Sequence, residues 1–325
     1  MHPEVTDEGL LTLLYAGTTS IYSSKYSIYN DTVKKLEQRS QSAGNILNIK
    51  NGTSETLRNG IIILENVKRV SDHVPIHMKP LNNEQLGHYI AGLIDGDSYF
   101  KDQQLVLFFS SSDAFLAYCL KEQLGYGNVK KLKDKTAYLL IISNKEGMLN
   151  VLNLINGKLR RRDIFNQVIS DRLNDSRYMN IEFTMNSSNN FDNHWLAGFS
   201  DAKASFQIKT IKRINSCKRE VILNYEIDHK NALLLTMIKD YLGGNIAYRK
   251  EQDTYYYDST SFGSAKKLIL YFNKYHLQSR KHISYLRWRK VYRLIQNKEH
   301  LTDKGLSKIL KIKSLINRHE ENTTT

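Results

Sequence analysis

The sequence is poor in cysteine and proline and has no long apolar run. Its two cysteines, Cys119 and Cys217, are too few for a disulfide framework or a zinc ribbon, and they favour a reducing compartment. No apolar run approaches the ~18 residues that a membrane-spanning helix needs. Pro3, Pro75 and Pro80 are the only prolines, so no proline interrupts regular elements after residue 80.

Acidic residues are also scarce relative to basic ones. Lys and Arg number 47 against 33 Asp and Glu, which gives a formal net charge of +14. This excess suggests a polyanionic partner, with nucleic acid first and an anionic membrane surface second. A surface kept soluble by lysine is the plainer alternative. With 325 residues and 41% hydrophobic content, the chain is long enough for two domains or for one body made of two halves.

Three regions differ along the chain. Residues 1–82 are polar, rich in Ser and Asn and weakly periodic, which predicts a leader that is at most partly ordered. Residues 83–180 and 181–320 follow as two similar units. In each unit the pattern predicts helix, two strands, helix, two strands and helix, with a Leu-Gly stop after the middle helix. Two basic amphipathic helices complete the second unit.

The repeat is clearest in two segments that match nearly position for position: HYIAGLIDGDSYF at residues 88–100 and HWLAGFSDAKASF at residues 194–206. Small residues recur on one face of each predicted helix, which would let the two helices approach backbone to backbone. Glycine inside a helix costs about 1 kcal/mol relative to alanine, so a packing reason is expected. The predicted seam residues are Ala91, Gly92, Asp95 and Gly96 in the first copy and Ala197, Gly198, Asp201 and Ala202 in the second.

The two motif lines resemble the paired signatures of the LAGLIDADG homing endonucleases and maturases, in the single-chain, two-motif form. The resemblance covers residues 84–320 and is closest to fungal mitochondrial group I intron maturases. It implies an α+β fold of two tandem αββαββα repeats with pseudo-two-fold symmetry and two antiparallel, saddle-shaped sheets. It also implies a monomer, a mitochondrial matrix location, and a leader that is the remnant of an exon fusion.

The resemblance further implies a metal site at the seam, because the last acid of each motif in this family is understood to bind a divalent cation such as Mg²⁺. That position is Asp97 in the first unit and Lys203 in the second. An ammonium repels a cation and can pair with Asp97 instead. The replacement predicts a Mg²⁺ site that is weakened or lost, with nicking by Asp97 alone as a residual activity.

Family members often carry a basic residue near the active centre, just after the last helix of each unit. Lys281 fits this position in the second unit. In the first unit Asp163 falls there, with Arg162 beside it as a substitute. Asp95 and Asp201, present in both motifs, are interpreted as structural seam residues rather than as metal ligands.

Basic residues cluster on the strands that would form the saddles, where the resemblance places the DNA major groove. They are Lys130, Lys131, Lys133 and Lys135 in the first unit, and Lys209, Lys212, Arg213, Arg249 and Lys250 in the second. A second basic surface is predicted on helices and is a candidate for RNA. It comprises Lys158–Arg162, with Arg160, Arg161 and Arg162, and Arg287–Arg293.

Two functions of different classes follow. The first is an RNA maturase that binds and stabilises a group I intron to promote its splicing, alone or with a partner splicing protein. The alternative is a site-specific DNA endonuclease or nickase that uses Mg²⁺ at Asp97 on double-stranded DNA. A fold retained without its second acid favours the maturase. The paired motifs argue against a third class, a generic basic nucleic-acid binder.

Overall fold

The computed structural model describes residues 69–133, 136–173, 182–212 and 219–324, together with two strands near the amino terminus. Several predicted features lie outside these described residues. They are Lys135, Arg213, the side chain of Lys212 and most of the leader.

The described strands form two antiparallel four-stranded sheets and one separate hairpin. The hairpin pairs β1 (Leu11–Tyr15) with β2 (Thr18–Tyr22). Sheet one has the order β3 (Ser98–Lys101), β4 (Gln104–Ser110), β6 (Ala137–Ile142), β5 (Asn128–Lys131). Sheet two has the order β7 (Ala204–Lys212), β8 (Arg219–His229), β10 (Thr254–Ser259), β9 (Asn245–Arg249).

The helices connect and flank these strands. In the first half they are α1 (Asn83–Asp97), α2 (Ala114–Leu124), α3 (Lys145–Ile155) and α4 (Arg162–Leu173). In the second half they are α5 (Trp195–Lys203), α6 (Ala232–Leu242), α7 (Phe262–Lys274), α8 (Lys281–Gln296) and α9 (Asp303–Thr324). The order αββαββα therefore occurs twice, and the predicted α+β fold with an internal repeat is confirmed. No helix formed by the described residues combines the length and apolar composition needed to cross a membrane.

Local sequence signals set the helix ends. The side chain of Asn82 accepts a hydrogen bond from Gln85 N at 2.9 Å and caps α1. The middle helices α2 and α6 stop at Gly125 (φ 74°) and Gly243 (φ 83°), which follow the predicted Leu-Gly signals. A positive φ strains residues that have a Cβ atom, and glycine has none, so glycine allows the two helices to end in this conformation.

Helices α1 and α5 pack against each other at the centre of the molecule. A methyl group on Gly92 would lie 2.0 Å from the carbonyl oxygen of Trp195, and one on Gly198 would lie 2.0 Å from that of Tyr89. Farther along, a methyl group on Gly96 would meet the Cβ of Ala202 at 2.4 Å. The two backbones are thus in direct contact, and no side chain larger than hydrogen fits at the crossing.

The last residues of the predicted leader run along the second half. Val70 N donates to Gln296 Oε1 at 2.9 Å, and Gln296 Nε2 donates back to Val70 O at 3.2 Å. Arg289 is buried on α8 and donates to the carbonyl oxygens of Ser71 and His73. The boundary at residue 82 stays a prediction, but the chain from Arg69 onward is held by α8.

Replacing Gly92 or Gly198 with alanine is expected to lower the free energy of unfolding by about 3 kcal/mol, because the added methyl group meets backbone that cannot move aside. Chemical denaturation of the purified variants measures this change. Gly263→Ala is the matched control, since a methyl group on this helical glycine meets no atom within 4 Å. Its stability should stay equal or rise by up to about 1 kcal/mol. Equal losses in all three variants would contradict a backbone-to-backbone seam.

Candidate functional site at the helix seam

Asp97 and Lys203 are the last residues of α1 and α5, so the seam brings them together at one end. Lys203 Nζ lies 3.0 Å from Asp97 Oδ1, and the two side chains are 28% and 48% exposed. The structure thus contains the ion pair that the sequence suggested. Lys203 also places a positive charge at the carboxyl end of α5, which the helix dipole favours.

The residues at this end of the seam do not fit a divalent cation shared between two motif acids. Mg²⁺ takes oxygen ligands, and Lys203 offers none. Within the described ranges, no group of three or more His, Cys, Asp or Glu side chains is arranged to hold a metal ion. At the last position of the two motifs, Asp97 is the one carboxylate, and it pairs with the ammonium of Lys203.

Asp95, two residues before Asp97, is fully buried and accepts three hydrogen bonds. Its donors are Trp195 Nε1 at 2.8 Å, Arg160 N at 2.8 Å and Arg161 N at 3.1 Å. Burial raises the pKa of Asp95 to about 6, and these hydrogen bonds oppose the rise. The carboxylate joins the end of α1 to the start of α5 and to the chain that enters α4.

Asp201 occupies the same motif position in the second half and is also buried. It accepts hydrogen bonds from Tyr89 Oη at 2.7 Å, Gln278 N at 2.7 Å and Ser279 Oγ at 2.5 Å. Burial raises its pKa, and the hydrogen bonds act in the opposite direction. Tyr89 and Trp195 hold equivalent places in the two motifs, so the aromatic side chain of each half crosses the seam to the acid of the other.

Lys281 begins α8 and points its ammonium at the carboxyl end of α5. Its Nζ donates to Ser200 O at 3.2 Å. Burial lowers the pKa of Lys281, while the nearby Asp201 and Asp113 carboxylates counteract the shift. The sequence-predicted lysine of the second half therefore lies at the seam, within one helix turn of Lys203.

In the first half the equivalent cation comes from Arg161, which sequence reasoning assigned only to a general basic surface. Arg161 Nη1 donates to Asp95 O at 3.0 Å, at the carboxyl end of α1. The same guanidinium binds both carboxylate oxygens of Asp163, with the shortest contact at 2.8 Å. Asp163 thus takes the place that Lys281 has in the second half, and the neighbouring Arg162, the substitute suggested by the sequence, is exposed.

His229 also belongs to this site and had no sequence signal. It ends β8, is 6% exposed, and its Nε2 lies 3.2 Å from Asp95 O. Its Nδ1 accepts a hydrogen bond from Asn231 N at 2.9 Å, so the proton resides on Nε2. Burial, together with the positive charges of Arg161 and Lys203, lowers the pKa of His229 to about 4. The imidazole is therefore neutral at physiological pH and acts as a donor to the end of α1.

Several basic residues predicted to contact phosphate have protein partners. Arg249 donates to Glu226 and Asp228, each at 2.8 Å, and lies 4.4 Å from the ring centre of Tyr256. Lys209 Nζ is 3.9 Å from Glu226. The exposed members of the predicted set are Lys130, Lys131, Lys133, Lys209 and Lys250.

The prediction that Arg160 belongs to an exposed RNA-binding surface is wrong. Arg160 is 4% exposed and lies in the loop before α4, with its guanidinium 4.8 Å from the ring centre of Phe191. It donates to the carbonyl oxygens of Ser188 and Asn190. A guanidinium committed to backbone acceptors and packed on an aromatic ring cannot reach a phosphate.

The second predicted basic stretch, Arg287–Arg293, is likewise largely committed to the fold. Arg287 donates to Leu315 O on α9 at 2.9 Å, and Arg293 pairs with Asp72. With Arg289 buried as described, these arginines fasten neighbouring segments to α8. Sequence reasoning took them for surface charge because basic residues on an amphipathic helix usually face solvent.

Two αββαββα halves that meet at a glycine-lined helix seam define the single-chain homing-endonuclease class of fold. The LAGLIDADG endonuclease family model matches residues 196–292. An uncharacterized 37.2 kDa protein of cox1 intron 2 in Schizosaccharomyces pombe is 55% identical over 319 residues, which span 93% of this chain and 96% of that protein. The chain belongs to the LAGLIDADG family of intron-encoded endonucleases and maturases.

More distant relatives include a protein named as an endonuclease and a protein named as a maturase. The intron-encoded DNA endonuclease aI3 of Saccharomyces cerevisiae is 27% identical over 71% of this chain and 69% of its own length. The intron-encoded RNA maturase bI4 of the same organism is 27% identical over 77% of this chain but only 41% of its own length.

Two solved structures share the fold at 21% sequence identity and a TM-score of 0.58. The first is I-SmaMI bound to its uncleaved DNA target in the presence of calcium ions, which matches 71% of this chain and 98% of its own. The second is the LAGLIDADG homing endonuclease I-LtrWI bound to target DNA, which matches 71% and 97%.

The two acids of the first motif should differ sharply in their effect on stability. Asp95→Asn is expected to lower the free energy of unfolding by about 2–4 kcal/mol, because an amide cannot accept from all three buried donors. Asp97→Asn breaks a partly exposed ion pair and should cost less than about 1 kcal/mol. Denaturant unfolding at pH 7.5 measures both values. If Asp97→Asn lowered the free energy of unfolding as much as Asp95→Asn, the assignment of Asp95 as the structural acid and Asp97 as the exposed one would be contradicted.

Proposed function

We propose that this chain is an RNA maturase, which binds and stabilises a folded group I intron and so promotes its splicing. The observation that carries the proposal is the Asp97–Lys203 ion pair at 3.0 Å, in the place where the family resemblance leads one to expect two acids. The seam around the pair keeps its glycine contacts and its buried acids. The fold is thus retained while the ligand set for a shared cation is not.

The charges at the seam support the same proposal. Lys203, Lys281 and Arg161 all place cationic groups near the carboxyl ends of α1 and α5. Phosphodiester cleavage by metal ions needs ligands that hold the cation against the scissile phosphate. These cationic side chains supply no such ligands, and the carboxylates beside them, Asp97 and Asp163, are already paired with Lys203 and Arg161. The centre is therefore poorly suited to metal-dependent hydrolysis of a nucleic-acid backbone.

A maturase needs only to bind the folded intron more tightly than its unfolded forms. The stabilisation equals RT ln(1 + [L]/Kd) when the protein binds the folded state alone. The net charge of +14 supplies long-range attraction to RNA. Relatives named for introns of cox1 and ND4 support synthesis and action in mitochondria, which is part of the proposal.

The alternative is a DNA nickase that uses Asp97 as its single acid. It is favoured by one observation: Asp97 is present and its side chain is 48% exposed. The DNA-bound structures that share the fold make double-stranded DNA the substrate to test. Relatives at 27% identity include both an endonuclease and a maturase, so their names do not decide between the two functions.

Two assays on the full-length protein test the proposal. One follows splicing of the intron that encodes the chain, at a Mg²⁺ concentration too low for self-splicing, and the other incubates the intronless DNA target with Mg²⁺ or Mn²⁺. We expect the protein to stimulate splicing and to leave both DNA strands intact. Double-strand cuts, or splicing that is equally slow with and without the protein, would overturn the proposal. A single-strand nick that Asp97→Asn abolishes would establish the alternative.

Lys203→Asp should create a cation site, because it sets a second carboxylate beside Asp97. We expect calorimetry to detect Ca²⁺ or Mn²⁺ binding by Lys203→Asp and none of comparable affinity by the unmodified chain. Lys203→Gln is the matched control, since it removes the ammonium without adding an anionic ligand. If Lys203→Gln binds the cation as tightly as Lys203→Asp, repulsion by the lysine rather than the missing ligand is the cause. Recovery of DNA cleavage by Lys203→Asp would mean that this position alone silences the centre.

A further inference from the structure

We propose that the outer face of sheet one binds unpaired bases of single-stranded RNA, with Tyr99 and Phe108 as stacking platforms. The outer face is defined as the side of β3, β4, β5 and β6 that points away from the helices. This inference rests on the proposed function, since it names the part of the intron that the protein would hold.

The strand register aligns an aromatic and aliphatic surface on this face. Tyr99 pairs with Val106 across β3 and β4, and Val106 pairs with Ile141 on β6. In the next row Phe108 pairs with Leu139. The rings of Tyr99 and Phe108 lie 5.8 Å apart between centroids and are 37% and 38% exposed. Two adjacent rings are therefore presented to solvent on this face of the sheet.

These outward residues are additional to the core. The alternate positions, including Phe100, Leu105 and Leu107, point inward and are at most 5% exposed. An antiparallel sheet covered on one side normally carries polar residues on the other. On this outer face Val106 is only 6% exposed, while the rings of Tyr99 and Phe108 are each more than one-third exposed. Neighbouring exposed apolar side chains can mark a binding site.

The charge around the face identifies the partner as a polyanion. Lys101 and Lys130 stand on the same face, as their pairing with Gln104 and Leu139 requires. The outward strand positions of sheet one carry no carboxylate, and the nearest acid in sequence, Asp102, is in the β3–β4 turn. Aromatic rings beside lysines suit a chain of flat bases joined by phosphates. Sequence-specific recognition of RNA commonly uses such stacking on unpaired bases.

Sheet two, which has the same topology, shows the opposite chemistry at equivalent positions. Where sheet one has the row Tyr99–Val106–Ile141, sheet two has Ser205, Glu226 and Asp258. Where sheet one has Phe108, sheet two has Asp228, which holds Arg249 at 2.8 Å. Burial and the nearby Glu226 raise the pKa of Asp258, while Lys209 opposes the rise. Arg249 binds both Glu226 and Asp228, so this face carries charged pairs at the positions where sheet one carries exposed rings.

The test measures binding of the full-length protein to a fluorescently labelled 12-nucleotide oligouridine by anisotropy, with an RNA duplex of the same length as the comparison probe. Tyr99→Leu and Phe108→Leu keep apolar side chains but remove the rings. Each should weaken oligouridine binding at least about fivefold, as the loss of one stacked base does. Duplex binding and the salt dependence of oligouridine binding should stay unchanged, because no phosphate contact is removed.

Tyr256→Leu on the outer face of sheet two is the matched control and should bind oligouridine as the unmodified protein does. Circular dichroism and thermal melting establish that each variant is folded. Oligouridine affinity that is unchanged in the Tyr99→Leu/Phe108→Leu double variant would overturn the inference. So would a double variant that binds RNA normally and instead loses a co-purifying protein, which would make the face a protein interface.

The splicing assay separates failure of this inference from failure of the proposed function. If the unmodified protein stimulates splicing and the double variant matches it in both assays, the inference fails and the maturase function stands. If oligouridine binding depends on the two rings but the unmodified protein does not stimulate splicing, the maturase function fails and the binding face stands.

Discussion

The contact between the backbones of α1 and α5 at Gly92 and Gly198 is the constraint on which the rest of the structure depends. Because each glycine meets a carbonyl oxygen of the opposite helix, the two helices have one relative position and one axial register. That register brings Asp97 next to Lys203 and lets Tyr89 and Trp195 reach across. If ordinary side chains separated the two helices, Asp97 and Lys203 would lie several ångströms farther apart, and they could not form this ion pair.

The buried acids Asp95 and Asp201 fix the position of further segments relative to the two seam helices. Asp95 accepts two backbone N–H groups of the segment that enters α4, and Asp201 accepts one from the segment that enters α8. Each acid also accepts one donor from the opposite half. Their burial is unfavourable for a charge and is offset by a full set of donors. The consequence is that Arg161 and Lys281, which lie in those same segments, are delivered to the carboxyl ends of α1 and α5.

Much of the fold could be predicted from the sequence, because it rests on local signals repeated twice. The glycine-rich motif, the Leu-Gly stops and the alternating strands specify helix, strand and order without tertiary information. The pairing of Asp97 with Lys203 also followed from the motif. The roles of Arg161 and His229 could not be predicted. Nothing in the sequence distinguishes Arg161 from the two arginines beside it, and a lone histidine carries no motif that would mark it as a site residue. The burial of Arg160 was missed for the same reason: its acceptors at Ser188 and Asn190 are brought to it only by the tertiary fold.

The two halves differ most where packing does not restrict them. At the seam, a change from glycine is blocked by backbone, and both halves keep small residues there. On the outer faces no backbone blocks a change of side chain, and the same strand positions hold Val106 and Phe108 in one sheet and Glu226 and Asp228 in the other. A symmetric duplex calls for similar chemistry on both sheets, since its backbone charge is the same throughout. A sheet with exposed rings and flanking lysines, beside a sheet whose Glu226 and Asp228 are paired with Arg249, instead matches an irregular partner with both unpaired bases and phosphates, which a folded RNA provides.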